Sequence, residues 1–251
     1  ETLLGLPTLN QPLGYSAILG DASPAKTYLL TRTYQLAGFR DFKAKLSNDP
    51  GRDAKRLSAL PSEATLRLDA NNLFHSDTDC LDHLTKLERP FWAIEEPLTV
   101  GDTDGQKAIS HQAGIRIILD ESLVRTGQLS IYEGNSSPFV ANLRVSKCGG
   151  VIRAIGLGRA AQAIGMDVIL GAHVGETSIL TRAAMTVGQA LDKPALAREG
   201  AFGRILVTED VTPSSVRFGY AGRLNPVRRR FNALPGWGFA PPGSNTLFEG
   251  T

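Results

Sequence analysis

Three carboxylates in the sequence follow three consecutive, largely apolar runs. Asp69, Glu95 and Asp120 each stand directly after such a run, and they are 26 and 25 residues apart. If the runs are neighbouring strands, the carboxylates meet and repel one another strongly in a low-dielectric cavity. A hard divalent cation relieves that repulsion, and oxygen ligands without Cys or a His cluster favour Mg²⁺ or Mn²⁺. The alternative is that each carboxylate forms its own salt bridge to Lys or Arg.

Two lysines, Lys43 and Lys45, precede this series by about one repeat. They are two residues apart, so on a strand both side chains point to the same side, whereas Phe42, Ala44 and Leu46 form an apolar face. A lysine close to a metal ion and a second cation has a lowered pKa, which suits a general base. The alternative is a pair of surface lysines on an edge strand.

Residues this far apart in sequence need a repeating scaffold to bring them together. Eight short apolar runs recur about every 25 residues, with helical periodicity between them, as in successive βαβ units. This predicts an α/β fold of the (β/α)₈ barrel type, with an open doubly wound sheet as the alternative. In a barrel the carboxyl ends of the strands converge on one mouth. The titratable residues at the expected strand ends are Lys43, Lys45, Asp69, Glu95, Asp120, Arg144, His173 and Glu199.

Four segments between these runs carry helix signals. Ser23 and Pro24 form an N-cap and a first helical position. Further helices are expected at 77–87, 151–164 and 177–191.

Composition and charge exclude several classes of protein. The 251 residues include 27 Lys and Arg against 25 Asp and Glu, so the formal net charge is only +2. We therefore expect no nucleic-acid partner, and we interpret the one basic run, 228–230, as a solvated turn. No apolar stretch is long enough to span a membrane, and no export signal opens the chain. Cys80 and Cys148 are accordingly expected to be reduced thiols of a cytoplasmic protein.

Five short motifs occur along the chain in a characteristic order. They are Lys43-Ala44-Lys45, Asp69-Ala70-Asn71, Ile94-Glu95-Glu96-Pro97, Asp120-Glu121-Ser122 and Lys147-Cys148-Gly149-Gly150. Together they resemble the enolase superfamily, in the muconate-lactonizing-enzyme and mandelate-racemase-like branch that includes dipeptide epimerases and o-succinylbenzoate synthases. The resemblance covers nearly the whole chain, and the five motifs are specific together although each is weak alone.

The resemblance implies a role for each residue of the site. Asp69, Glu95 and Asp120 would bind Mg²⁺ or Mn²⁺. Lys45 would abstract the proton α to a substrate carboxylate, giving a metal-stabilised enediolate. Lys43 would lower the pKa of Lys45 and contact the same carboxylate.

The activity implied by the resemblance is that of an isomerase or a lyase. The enediolate would proceed to racemisation, epimerisation or cycloisomerisation, or to β-elimination. The substrate would be a small carboxylate, which we expect Asn71 and Glu199 to contact, and the protein is expected to be a homo-oligomer.

Two positions depart from the family pattern. Arg144 stands where the lactonizing-enzyme branch has a second lysine, and a guanidinium with a pKa above about 12 is a poor base. His173 matches a histidine of the mandelate-racemase branch, but its partner aspartate is absent. A second acid or base would have to be His173 or Lys147, although His173 can also be a plain strand-end histidine and Lys147 a structural residue. The alternatives are an acid-sugar-type dehydratase that uses Lys45 alone or with His173, and a degenerate, non-catalytic barrel that binds metal.

The family also carries an α+β capping domain before the barrel, which closes the mouth. We expect the barrel to occupy residues 1–211 and the segment 212–251 to pack toward such a cap, and we expect the cap itself to be missing from this chain. Without a cap, water would enter the mouth.

Overall fold

The computed structural model describes residues 2–7, 9, 11–202, 206–212 and 216–225. Its strands are β1 Leu13–Gly14, β2 Ala17–Leu19, β3 Asp41–Lys45, β4 Thr65–Asp69, β5 Ala93–Glu95, β6 Arg116–Leu119, β7 Phe139–Leu143, β8 Asp167–Leu170 and β9 Arg223–Leu224. Strands β2 to β8 form one parallel sheet in chain order. The helices with described bounds are α1 Pro24–Leu36, α2 Pro50–Leu57, α3 Asp77–Leu84, α4 Thr103–Ala113, α5 Val151–Ala163 and α6 Ser178–Ala190.

The sheet closes on itself through the extended segment 195–199. On one side of this segment, the Leu170 amide donates to the Ala197 carbonyl at 3.0 Å, and the Glu199 amide donates to the Leu170 carbonyl at 2.8 Å. On the other side, the Ser16 amide donates to the Arg198 carbonyl at 2.9 Å, directly before β2. The segment therefore joins β8 to β2. The predicted (β/α)₈ barrel is confirmed, and the open sheet is excluded.

The helices begin at recognisable caps. Ser23 accepts a hydrogen bond from the Lys26 amide at 3.4 Å, and Pro24 is the first residue of α1, as predicted. Helices α5 and α6 match the segments 151–164 and 177–191 to within one residue at each end. The segment 77–87 was predicted too long, because α3 ends at Leu84. Beyond it the chain tightens into i→i+3 hydrogen bonds, of which the Leu87 amide to the Leu84 carbonyl is one.

Apolar side chains form one layer on each face of the sheet. The outer and larger layer lies between strands and helices and includes Leu68, Ile117 and Leu143. The inner layer is a small cluster that includes Ala93, Ile118, Val140, Ile169 and Ala197. Residues of each strand alternate between these layers, so inward-facing positions near the carboxyl ends are left for polar side chains.

The first part of the segment 212–251 folds back onto the start of the barrel. Strand β9 pairs antiparallel with β1, with Leu13 opposite Leu224. This contact lies at the amino-terminal end of the sheet, where the Tyr15 amide donates to the Gly222 carbonyl at 3.0 Å. The rest of the segment, including the basic run 228–230, lies outside the described residues.

Both predicted thiols are free in the structure, since Cys80 and Cys148 are buried and unpaired. Among the described helices, none is long and apolar enough to cross a bilayer.

Candidate active site

The register of the sheet places the predicted site residues in one row. Lys45 is the partner of Asp69 across β3 and β4, and Asp69 is the partner of Glu95 across β4 and β5. Asp120 follows directly after the last residue of β6. All four residues therefore stand at the carboxyl ends of adjacent strands, where the sequence predicted them.

Lys43 lies in the middle of the acidic side chains. Its ammonium nitrogen is 3.0 Å from Asp69 Oδ2, 2.7 Å from Glu95 Oε2 and 3.2 Å from Glu199 Oε1. Burial by itself would lower the pKa of Lys43, but the charges of Glu199, Glu95 and Asp69 outweigh burial and raise the pKa above its ordinary value. The surrounding carboxylates thus favour the charged form of Lys43, which does not suit a base.

Arg144 is a second cation held between carboxylates. Its Nη2 atom lies 2.9 Å from Glu95 Oε1 and 2.6 Å from Asp120 Oδ2. Lys147 completes the row, at 2.7 Å from Asp120 Oδ2 and 2.5 Å from Glu121 Oε1. Lys147 lies beyond the end of β7, with its ammonium directed back to the mouth.

These cations occupy space between the predicted metal ligands. No group of three His, Cys, Asp or Glu side chains within the described ranges is arranged as a ready-made ligand set. The salt bridges that the sequence offered as an alternative to a metal are present. A metal ion would therefore require Lys43 and Arg144 to move from the positions they hold here.

The donor chemistry and the charge nevertheless suit a divalent cation. Asp120 Oδ1 is buried without a hydrogen-bond donor among the described residues. Burial, against the attraction of Lys43, raises the pKa of Glu95 to about 8, and burial raises that of Asp120 to about 6. Within the described residues, the connected ion pairs contain four basic and six acidic side chains, an excess of two negative charges when all are ionised. The metal site at Asp69, Glu95 and Asp120 remains a prediction.

Glu199 lies inside the barrel rather than free at its mouth. Its Oε1 atom is 2.9 Å from Arg67 Nη2, and Arg67 in turn contacts Asp41 Oδ2 at 3.1 Å. Burial would raise the pKa of Glu199, but Lys43 and Arg67 outweigh burial and lower the pKa to about 2. Glu199 is therefore ionised and already paired, and its predicted contact with substrate is untested.

Lys45 differs from Lys43 in its surroundings. It is exposed, and its ammonium has no hydrogen-bond or ion-pair partner in the described part of the chain. With the exposed Asn71 it borders a cavity of about 530 Å³ at the ends of β2, β3 and β4. The predicted base and one predicted substrate contact therefore share an open space, while Lys43 faces the buried carboxylates.

His173 is exposed at the far side of the mouth. Partial burial and the nearby charges of Arg144 and Lys147 lower the pKa of its imidazole. The ring is therefore neutral near pH 7 and able to accept a proton.

Three buried residues of the site were missed by sequence reasoning. Glu96 accepts hydrogen bonds from the amides of Asp120 and Ser122, both at 2.7 Å, and so holds the chain at Asp120. Asn142 donates to Glu95 Oε1 at 3.1 Å, and Arg67 pairs with Glu199. Asn142 and Arg67 stand two residues before predicted site residues, and strand alternation was a signal that could have found them.

A closed barrel of parallel strands with titratable side chains at the carboxyl ends is the architecture of the (β/α)₈ enzymes. Residues 29–240 match the model of the enolase C-terminal domain-like family. The chain belongs to that family, in the branch of muconate lactonizing enzyme and mandelate racemase.

Named relatives are epimerases and racemases. The L-Lys-D/L-Arg epimerase of Methylococcus capsulatus is 31% identical over 183 residues, which are 67% of this chain and 50% of that protein. The N-succinyl-L-Arg/Lys racemase of Bacillus cereus is 24% identical over 180 residues, which are 69% of this chain and 48% of that protein. Muconate lactonizing enzyme from Pseudomonas putida superposes with a TM-score of 0.81 at 22% identity, covering 96% of this chain and 66% of that one. The chain thus spans about half the length of the curated relatives it matches.

Proposed function

We propose that this chain carries the catalytic barrel of an isomerase that removes the proton α to a carboxylate. The observation that carries the proposal is the contrast between the two lysines of β3. Lys43 is buried in ion pairs with three carboxylates, whereas Lys45 borders an open cavity without a partner among the described residues. Lys45 is thus the lysine of the pair that a substrate in the cavity could reach.

The neighbouring residues would supply the charged and polar groups that this reaction needs. Lys43, enclosed by three carboxylates, keeps a positive charge on the same strand, two residues before Lys45. Asp69, Glu95 and Asp120 would hold a divalent cation, which when bound supplies a Lewis acid for the substrate carboxylate. Asn71 lies beside Lys45 at the same cavity and would orient the substrate.

The relatives favour isomerisation over elimination, since those compared carry the names of epimerases and racemases. Inversion at a carbon needs a proton donor on the face opposite Lys45. Arg144 is bound to two carboxylates and does not release its proton. His173, exposed at the mouth, is the residue we assign to that role: as imidazolium it would donate the proton in one direction, and as neutral imidazole it would remove it in the other.

One observation favours a second candidate function. Lys43 and Arg144 lie between the predicted metal ligands, and a barrel in which they stay there would bind no metal and turn nothing over. This metal-free barrel differs from the degenerate, metal-binding barrel considered from the sequence, and it predicts that Mg²⁺ has no effect on the protein.

The test is solvent-deuterium exchange at the α-carbon. The protein is incubated in D₂O with Mg²⁺ and pooled dipeptides, N-succinyl amino acids and acid sugars, and products are read by NMR. We expect exchange with wild type and with Lys55→Met, a control at an exposed lysine of α2, and none with Lys45→Met. An inverted product identifies an isomerase, and a keto acid identifies a dehydratase. Absence of exchange with wild type in every pool would overturn the proposal.

A further inference from the structure

A buried polar cluster lies outside the site, near the carboxyl end of β3, the strand that carries the two lysines. It consists of Asp53 and Arg56 on α2 and His83 on α3, which are 0%, 1% and 6% exposed. Arg56 Nη1 lies 2.7 Å from Asp53 Oδ1, and His83 Nε2 lies 3.2 Å from Asp53 Oδ2. We call these three residues the loop clamp. Packing two helices against a sheet does not require buried charge, because apolar residues of similar size would serve as well.

The loop clamp binds the backbone at the carboxyl ends of two strands. Arg56 Nη1 donates to the Lys45 carbonyl at 2.8 Å, and Arg56 Nη2 donates to the Gly20 carbonyl at 2.7 Å. Asp53 Oδ2 accepts from the Ser47 amide at 2.8 Å. The cluster therefore connects the ends of β2 and β3 to helices α2 and α3.

These contacts hold the backbone at Lys45 and at the residues that follow it. Its carbonyl is held by Arg56, the Leu46 amide donates to the Asp69 carbonyl at 2.8 Å, and the Ser47 amide is held by Asp53. Lys45 has no partner of its own among the described residues, so the position of its ammonium depends on this backbone. A displacement of about 1 Å in a reacting group can cost about a hundredfold in rate.

We infer that the loop clamp is a positioning device for Lys45, with Arg56 as its principal residue. The inference rests on the proposed function for the role of Lys45 as the base. It adds that residues with no access to substrate determine where that base stands.

The experiment compares two arginine–aspartate pairs at opposite ends of the barrel, one buried and one half-buried. Arg56→Met and Arg56→Lys remove or weaken the clamp. Arg116→Met is the matched control, because Arg116 contacts Asp167 at 2.7 Å and the Phe139 carbonyl at 3.0 Å at the amino-terminal ends of the strands. For α-proton exchange we expect kcat to fall about 10- to 100-fold in Arg56→Met with little change in KM. Arg56→Lys should recover part of the loss, and Arg116→Met should keep the wild-type kcat.

A second measurement does not depend on activity. Hydrogen–deuterium exchange is followed by mass spectrometry for peptides that span 41–50, with the free energy of unfolding measured for each variant. For variants of equal global stability, we expect the backbone amides of Leu46 and Ser47 to exchange faster in Arg56→Met than in Arg116→Met. His83→Gln, a milder change, should show the same effect to a smaller degree and replaces Arg56→Met if that variant does not fold.

The outcomes separate the two proposals. If wild type shows no turnover but the amides of residues 46 and 47 exchange faster in the Arg56 variants, the clamp is supported and the proposed function fails. If wild type turns over and Arg56→Met keeps its kcat, or if exchange at 46–47 is unchanged, the inference about the clamp is wrong.

Discussion

The ammonium of Lys43 lies 2.7 Å from Oε2 of Glu95, and both side chains are almost completely buried. This contact joins the strand of the predicted base to a predicted metal ligand. It also distinguishes two lysines that look equivalent in sequence, because Lys43 pairs with buried carboxylates and Lys45 does not.

Lys43→Met should strongly destabilise the protein. The substitution leaves Asp69, Glu95 and Glu199 without their shared cation, and breaking a buried ion pair costs about 3–5 kcal/mol. Urea denaturation at pH 7 measures the loss. Lys107→Met is the control, because its exposed pair with Asp104 is worth at most about 1 kcal/mol. Equal losses in the two variants would contradict the burial of charge at Lys43.

Magnesium should stabilise the wild-type protein against unfolding. A ligand that binds only the folded state adds about 2.7 kcal/mol at a hundred times its Kd. Asp120→Asn should reduce the rise in Tm with Mg²⁺, whereas Asp104→Asn, at an exposed position of α4, should leave it unchanged. Titration of Tm with Mg²⁺ and with EDTA provides the measurement. A Tm that does not respond to Mg²⁺ would favour the metal-free barrel.

His173→Asn should separate proton removal from inversion. Lys45 would still exchange the α-proton of one enantiomer, because it does not need the histidine for that step. Exchange from the other enantiomer, and inversion, should fall by about 10²- to 10⁴-fold. NMR of each pure enantiomer in D₂O reads both rates. His111→Asn, on α4, is the control. Equal loss of both exchange rates, or of neither, would argue against His173 as the second acid or base.

Asp53 should make stability depend on pH in the acid range. Burial would raise the pKa of Asp53, but hydrogen bonds from His83, Ser47 and Arg56 outweigh burial and hold the pKa below its ordinary value. The ionised carboxylate therefore adds stability above the unfolded pKa of about 3.9, and the contribution is lost as pH falls through the lower folded pKa. Asp53→Asn should be less stable than wild type at pH 7, with a smaller difference at low pH. Urea denaturation across this range tests the sign, and a difference that grows on acidification would refute it.

Gly171→Ala should destabilise the protein and displace a buried side chain that contacts Glu95. A methyl group there would collide with the side chain of Asn142, which is buried and donates to Glu95. Overpacking of this kind costs about 1–3 kcal/mol. Gly156→Ala, in α5, meets no atom and should stabilise the helix by up to about 1 kcal/mol. Thermal unfolding of the two variants gives the comparison, and equal Tm values would show that Asn142 can move aside.

Much of the site was predictable because its residues end local patterns. Asp69, Glu95 and Asp120 end apolar runs spaced by one βα unit, and this spacing is visible without any tertiary contact. The partners Arg67 and Asn142 were not found. Their contacts cross the barrel, as between Arg67 and Glu199, 132 residues apart, and no local pattern encodes such a pairing.

The sequence by itself determined the order of strands and helices and the residues that reach the mouth. Hydrophobic periodicity and capping are local properties, and eight repeats leave few ways to bury their apolar faces. Only the tertiary structure decided that Lys43 is enclosed and Lys45 open, and that Arg144 stands between Glu95 and Asp120. The physical reason is that burial and ion pairing depend on closure of the barrel, which sets charged side chains from distant strands within 3 Å of each other.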